Sequence, residues 1–491
     1  MNLAYKNIFK ATTLFGGVQG LTIIMGLIRT KFVALLIGPA GVGLNSIYNE
    51  TRELVHETTN CGMDQSGVRD ISKSYEKLTN AKTKDEIALC KAELKMQISL
   101  LRSWELLLGM LGIFITILLA QPLSLMTFQD TEHTWGYILL SPAVALSTIT
   151  CGELVVLKAI RKLKTVALLS TLNIFFALFI TLPIYYYWRL QGVLPAILST
   201  CLVSALTTVY ASYRYSHPIL NWSWRELKHG IPMLKLGACF VLTGMMAHGM
   251  ELLIMSHINN LSNEITVGLY RAGYTITGTY AALLFNAVST DFFPRLSGVV
   301  DDLKKRNTAV CQQMEVLMML VGPMTVALLV AMPILVPILY SNSFVEMIPM
   351  ARISVFGVLL GAIYIPAAYL PLAAGDSKMF LLVETISTIT MTMILVGFTH
   401  GGLFGAGVGK VISALFDVVA VMALSVFYYK IRISRSHLLM IISQLIILIA
   451  TYALTSVLSG WEYWITSVMI LAISLLASWK FYKKRADSMQ Q

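Results

Sequence analysis

The chain has 491 residues, of which 56% are hydrophobic and only 13% charged, with a formal net charge of +11. A soluble domain of this length carries about twice that share of charge, so the composition excludes an ordinary water-soluble protein. It places most of the chain in lipid, where helices satisfy their own backbone polar groups.

Apolar stretches near twenty residues match a hydrocarbon core about 30 Å thick. In chain order they predict fourteen spans: 11–37, 40–66, 98–122, 134–158, 165–187, 191–213, 231–257, 263–291, 309–339, 349–374, 378–399, 403–429, 436–459 and 461–480. The second is the most polar. The first span follows Lys6 and Lys10 and ends without a small-residue cleavage site, so no cleaved signal peptide is expected.

Basic residues collect in alternate connections. One set holds Lys6 and Lys10, Arg69 to Lys95, Lys158 to Lys164, Arg214, Arg225, Lys228, Arg295, Lys304 to Arg306, Lys378, Lys430 to Arg435 and Lys480 to Arg485. The opposite set holds only Arg189. Cytoplasmic loops retain positive charge, so both termini are expected in the cytoplasm and 122–133 outside. The net charge therefore reports topology, and no basic-aromatic module points to nucleic acid. The one sizeable soluble segment, 67–97, reads as a solvated helical hairpin on the cytoplasmic side.

Six cysteines show no CxxC spacing and no partnering His cluster, so no metal site is expected. There is no G-x-x-x-x-G-K-[ST] phosphate loop, no HExxH and no G-x-S-x-G, so no catalytic residues are assigned and no enzyme is expected.

The chain carries a weak internal repeat. Gly38-Pro39-Ala40-Gly41-Val42-Gly43-Leu44 opens the second span, and Thr266-Val267-Gly268-Leu269 opens the eighth. The turn after Ala159 resembles the turn after Ala373, and Gly192 has a counterpart in Gly405. Together these suggest two parallel six-helix bundles, 1–215 and 230–430, around a central cleft, with a helix pair and basic tail over 431–491. The expected fold class is thus an all-α integral membrane protein of about fourteen helices. Two bundles facing a cleft is the arrangement of an alternating-access transporter.

Ionisable residues inside spans cost at least a few kcal/mol, so they should face a wet cavity or one another. On the second span Glu50, Glu53 and Glu57 share a face, with Asn49 and His56 at its edge and Arg52 beside it. Two readings stay open: buried ion pairs that set helix register, or a polar cleft lining. Arg29 and Lys31 either snorkel to headgroups or form a cationic cleft for phosphate. Arg271 on the eighth span presents the same choice. Glu57 and Glu251 are the carboxylates placed to couple transport to proton or sodium entry, and Asn45, Asn49 and His56 the side chains placed to bond sugars. Pro366 and Pro371 read as a kink.

The stretch Gly38 to Leu44 after a first helix resembles that of Wzx-type polysaccharide flippases. Val267-Gly268-Leu269-Tyr270, running on to Phe293-Pro294-Arg295-Leu296-Ser297, is similar to the same region of the enterobacterial-common-antigen lipid flippase. The resemblance spans roughly 1–430. It implies the multidrug/oligosaccharidyl-lipid/polysaccharide exporter superfamily, and an undecaprenyl-pyrophosphate-linked oligosaccharide, such as an O-antigen unit of lipopolysaccharide, carried across a bacterial inner membrane. It also implies that the first, second, seventh and eighth helices line the cavity, where Arg29, Lys31, Glu57, Glu251 and Arg271 lie. Polymerase or assembly proteins of the same pathway are the implied partners. Many such flippases have twelve helices, and the extra pair here resembles that of the lipid II flippases. Arg271 stands where the common-antigen flippase carries an uncharged residue. The rivals are a multidrug cation antiporter of the same superfamily, a membrane-embedded polysaccharide polymerase or ligase, and a structural assembly subunit.

Overall fold

A computed structural model describes residues 3–216, 227–433 and 435–490. Arg225 lies outside them. The described residues are almost wholly helical, and ten helical segments are long and apolar enough to cross a membrane. Three of those segments, Ile24–Asn60, Leu163–Tyr213 and Ser377–Phe427, each contain a break and so hold two expected spans. The chain is a multi-pass helical membrane protein, and it divides into two compact units, Met1–Gly268 and Leu269–Gln491.

The first unit contains α1 (Leu3–Asn60), α2 (Met63–Asn80), α3 (Lys84–Phe128), α4 (Thr134–Ala159), α5 (Leu163–Trp188), α6 (Val193–Tyr213) and α7 (Ile231–Leu261). In α1 Gly38 breaks the helix with φ of 62° and ψ of −171°. Only glycine adopts that conformation without strain, and Pro39, lacking an N–H, restarts the helix. Thr83 and Glu86 form a reciprocal capping box at the start of α3. The α2 helix lays Met63 and Ile71, both fully buried, against Ile98, Leu101, Val155 and Val156. Its polar side meets α3 through Lys77 Nζ, which donates to Glu93 Oε1 at 2.8 Å. Thus 67–97, read from its mixed charge as a helical hairpin, falls on α2 and the start of α3.

The second unit begins inside α8 (Glu264–Tyr274), which a π-helical turn, Thr275–Thr279, joins to α9 (Tyr280–Ser297). It continues through α10 (Leu303–Leu339), α11 (Ile348–Ala373), α12 (Ser377–Thr390), α13 (Thr392–Phe427), α14 (Arg435–Val457) and α15 (Gly460–Gln490). Its core joins Phe292, Leu296, Val310, Leu370, Val383 and Val421. The α11 helix continues through Pro366 and Pro371, while α13 breaks at Gly401 and Gly402. The last two helices are docked on α10 and α11 by polar contacts. Buried His437 Nε2 lies 3.0 Å from Glu315 Oε1, and Arg352 Nη2 donates to Tyr463 Oη at 2.7 Å.

Large apolar side chains such as Phe114, Phe179, Val419 and Leu476 are exposed, as lipid-facing residues must be. Exposed Trp135, Trp188 and Trp461 stand at the ends of α4, α5 and α15, the level at which aromatic rings anchor in headgroups.

Candidate functional site

Inside the first unit, α1, α4, α5 and α6 enclose a cavity of about 420 Å³. Five of the residues singled out from sequence line it: Arg29, Asn49, Arg52, Glu53 and His56. They reach it from both arms of α1, because the break at Gly38 separates Arg29 from the other four. The rest of the wall comes from Ser147, Thr150, Asn173, Thr200, Ser204 and two cysteines, with a few aliphatic side chains.

The two arginines differ. Arg52 Nη1 donates to Ser147 Oγ at 3.1 Å and to Cys201 Sγ at 3.0 Å, and Nη2 pairs with Glu53. Among the described residues Arg29 has no carboxylate partner, and its Nε is buried without a hydrogen bond. Two guanidinium groups thus face one carboxylate, and the cavity carries a net positive charge. A buried, unmatched guanidinium is costly unless an anion joins it, and its planar fork fits phosphate or carboxylate in a bidentate way. Around it, Asn173 Nδ2 donates to Ser204 Oγ at 3.0 Å and Thr207 Oγ1 donates to Asn173 Oδ1 at 2.7 Å. His56 Nδ1 meets Thr148 Oγ1 at 3.0 Å. Such neutral groups suit sugar hydroxyls as well as each other.

The remaining candidates lie elsewhere. Asn45 is one turn before Asn49 and accepts from its Nδ2 at 2.8 Å on the backbone oxygen and 3.1 Å on Oδ1. Lys31 is half-buried and outside the cavity lining. Glu57 faces α7, with Oε2 3.0 Å from where a Cβ on Gly244 would stand. Glu251 is buried on α7. Arg271, in the second unit, lies over the Tyr274 ring at 5.6 Å, and Lys410 Nζ lies over that ring at 4.2 Å.

The sequence marks Glu50, Arg102, Glu153, His248 and Asp417 as ionisable residues inside spans, but not the partners they take. Glu50 Oε1 and His248 Nδ1 meet at 2.6 Å, joining α1 to α7. Arg102 forms a bidentate pair with Glu153 at 2.8 and 2.9 Å, both buried. In the second unit, Thr390 Oγ1 donates to Asp417 Oδ1 at 2.9 Å and accepts from Ser413 Oγ at 3.0 Å. The available signal for the cavity wall was the row of small polar residues at helical spacing in the sixth span: Thr200, Ser204, Thr207 and Thr208. Among the described residues no group of three or more His, Cys, Asp or Glu is arranged to hold a metal.

A multi-pass helical bundle with a polar, cation-lined cavity defines the class as a membrane protein of transporter fold. The chain belongs to the polysaccharide biosynthesis protein family, whose model matches residues 91–349, more than half of its length. Its fold is similar to that of a solved structure described as the lipid II flippase MurJ in an inward closed conformation, at a TM-score of 0.71 and 14% identity, covering 98% of this chain and 100% of that one. It is also similar to an inward-facing multidrug resistance MATE family transporter of the MOP superfamily, with a TM-score of 0.64 and 14% identity over 83% and 96% of the two chains. A MOP superfamily transporter from Pyrococcus furiosus, described as having a binding pocket of reverse polarity, matches with a TM-score of 0.53 and 15% identity over 84% and 93%. No curated protein sequence matches the chain.

Proposed function

We propose that the protein is a flippase that carries an undecaprenyl-pyrophosphate-linked oligosaccharide, an O-antigen or related surface-glycan unit, from the cytoplasmic to the periplasmic leaflet of a bacterial inner membrane. The observation that carries this reading is Arg29, half-buried with its Nε buried and without a hydrogen bond, and with no carboxylate partner among the described residues, in a polar cavity. Family membership and the flippase-like fold support it. In this reading Arg29 and Arg52 draw the pyrophosphate, with Lys31 and Arg271 adding to the attraction, while Asn45, Asn49 and His56 bond sugars. Transport runs by alternating access between the halves 1–215 and 230–430, with 431–491 appended and both termini cytoplasmic. Glu57 or Glu251 couples it to proton or sodium entry.

The multidrug antiporter reading is favoured by the MATE likeness. A cationic drug, however, would meet like charge at Arg29. A polymerase or ligase needs an extramembrane catalytic loop, and α3 and α4 are joined by only 129–133.

The test uses purified protein in vesicles with a fluorescent lipid-linked glycan. Arg29→Gln and Arg52→Gln, at matched protein levels, are expected to lower flipping at least about tenfold each, the loss of one charge-assisted contact in a poorly solvated site. Flipping at the wild-type rate in both variants would sink the assignment. Saturable binding of an organic cation, with none of the pyrophosphate lipid, would establish the antiporter instead.

A further inference from the structure

A second cavity, of about 400 Å³, lies in the first unit between the α2–α3 hairpin, the α4–α5 turn and the end of α6. It shares no lining residue with the cavity around Arg29. Its cations are Lys91 and Lys95, one turn apart on α3, Lys162 from the α4–α5 turn, and Arg102 deeper down; no carboxylate lines it among the described residues. The three lysines are exposed, and Lys162 Nζ lies over the Tyr215 ring at 4.7 Å. Arg102 is already committed to Glu153, so the uncompensated charge sits in the lysines.

Below the lysines the wall turns apolar, with Leu94, Ile98 and Ile160. Ser99, only 2% exposed, lines the same space, and its hydroxyl oxygen has no hydrogen-bond partner. An orphan buried hydroxyl is unfavourable unless a ligand or water satisfies it. Three cations above an apolar wall and an unsatisfied hydroxyl describe a receptor for an anion attached to an apolar body.

We propose that this cavity binds the phosphate headgroup of an anionic membrane lipid, from the leaflet on the side of the basic loops. Lys91, Lys95 and Lys162 hold the phosphate as point charges. Leu94, Ile98 and Ile160 take the first carbons of the lipid, and Ser99 bonds an ester or glycerol oxygen. Basic clusters beside a bilayer already concentrate anionic lipid, and the cavity adds a defined seat. The proposal is independent of the flippase reading, since it requires no transport.

Full-length protein in phosphate-free detergent would be titrated with short-chain phosphatidylglycerol, chain-matched phosphatidylcholine and inorganic phosphate, with bound species counted by native mass spectrometry. Phosphatidylglycerol is expected to bind at one saturable site. The triple variant Lys91→Gln, Lys95→Gln, Lys162→Gln should weaken it at least about tenfold. Ser99→Ala should weaken it several-fold without unfolding the helix. A control triple variant, Lys73→Gln, Lys82→Gln, Lys84→Gln, removes the same charge from exposed positions outside the cavity and should change binding less than about threefold. Equal loss in both triple variants would show diffuse attraction and overturn the proposal. Equal affinity for phosphatidylcholine would overturn it too. Binding of inorganic phosphate without phosphatidylglycerol would assign the site to a free anion and reject the lipid.

Discussion

Gly43 and Gly268 meet backbone to backbone. A Cβ on Gly43 would stand 2.9 Å from the Gly268 nitrogen, and one on Gly268 would stand 3.0 Å from the Gly43 nitrogen. Each would also strike a carbonyl, that of Glu264 from Gly43 and that of Pro39 from Gly268. The two stretches that carry the sequence repeat are therefore in direct contact, at a distance no side chain tolerates. Gly43→Ala and Gly268→Ala are each expected to destabilise the protein by about 1–3 kcal/mol, the usual cost of overpacking. Gly26→Ala, helical and with nothing within 4 Å of its Cβ, should be neutral or stabilising by about 0.5–1 kcal/mol. Thermal unfolding in detergent separates the cases. Equal melting temperatures across all three would contradict the contact.

The Arg102–Glu153 pair makes a second prediction. Both side chains are 4% exposed, and Arg102 also donates to Ser212 Oγ at 3.2 Å. Removing one partner leaves a buried charge, so Glu153→Ala should cost about 3–5 kcal/mol. Replacing both with Met should recover most of that loss, because the desolvation of two ions is avoided. A double variant as unstable as the single one would mean that the pair is more than compensated packing.

How far the sequence disclosed this molecule depends on whether a residue acts through its neighbours in the chain or across space. The Gly38-Pro39 break was legible because φ and a missing N–H are local properties. So was the 67–97 hairpin, whose charge and capping residues lie within a few turns. Of the cavity's lining, Arg29 and Arg52 stand out as charges in apolar runs, but the sequence placed them on a cleft between bundles rather than in a cavity among α1, α4, α5 and α6. Asn173 and Ser204 do not stand out, because single neutral polar residues are common in spans, and only packing of α5 on α6 brings them to 3.0 Å. The π-helical turn at Thr275–Thr279 and the docking of Tyr463 on Arg352 left no pattern in the sequence, since each depends on a fit between helices distant in the chain.

Two contacts outside the membrane give opposite pH dependences. Asp302 caps α10, its side chain accepting from the backbone N–H of Lys305 at 3.2 Å and of Lys304 at 3.0 Å. These bonds hold its carboxyl below the usual carboxylate range. A depressed pKa stabilises above the unfolded value and is lost as pH falls through the folded one. Lys77 is the reverse: its bond to Glu93 raises its pKa, so its contribution is present below the ordinary lysine range and is lost as pH rises through the raised value. Hydrogen exchange, corrected for intrinsic rates, should show residues 303–308 losing protection in acid and 70–80 losing it in strong alkali. Asp302→Ala should abolish the acid transition and Lys77→Met the alkaline one. A transition that survives its substitution would assign it to another group.

Topology follows from the distribution of Lys and Arg. In a cysteine-free background, Asn80→Cys and Thr131→Cys each place one thiol at an exposed position. An impermeant thiol reagent applied to intact cells should label position 131 and spare position 80 until the membrane is opened. The opposite pattern would invert the orientation, and with it the direction proposed for transport.

The coupling assignment rests on carboxylates where α1 faces α7. In the proposed flippase reading, directional transport draws on an ion gradient or on consumption of the product. A carboxylate that gains a proton or sodium ion changes the balance between two packed states, provided the states hold the ion unequally. Glu57, beside Gly244, and Glu251, buried on α7, are the assigned carriers. Glu50 lies on the same side of α1 but is already held by His248 Nδ1 at 2.6 Å, a contact suited to fixing helix register. In vesicles containing the purified protein and a labelled lipid-linked glycan, an imposed gradient should accelerate the wild type. It should leave the Glu57→Gln, Glu251→Gln double variant at its unaccelerated rate. Glu50→Gln retains an acceptor for His248 and should still respond. If the double variant responds fully and Glu50→Gln does not, the ion site belongs to the Glu50–His248 pair, and the roles of linchpin and carrier on this face of α1 are exchanged.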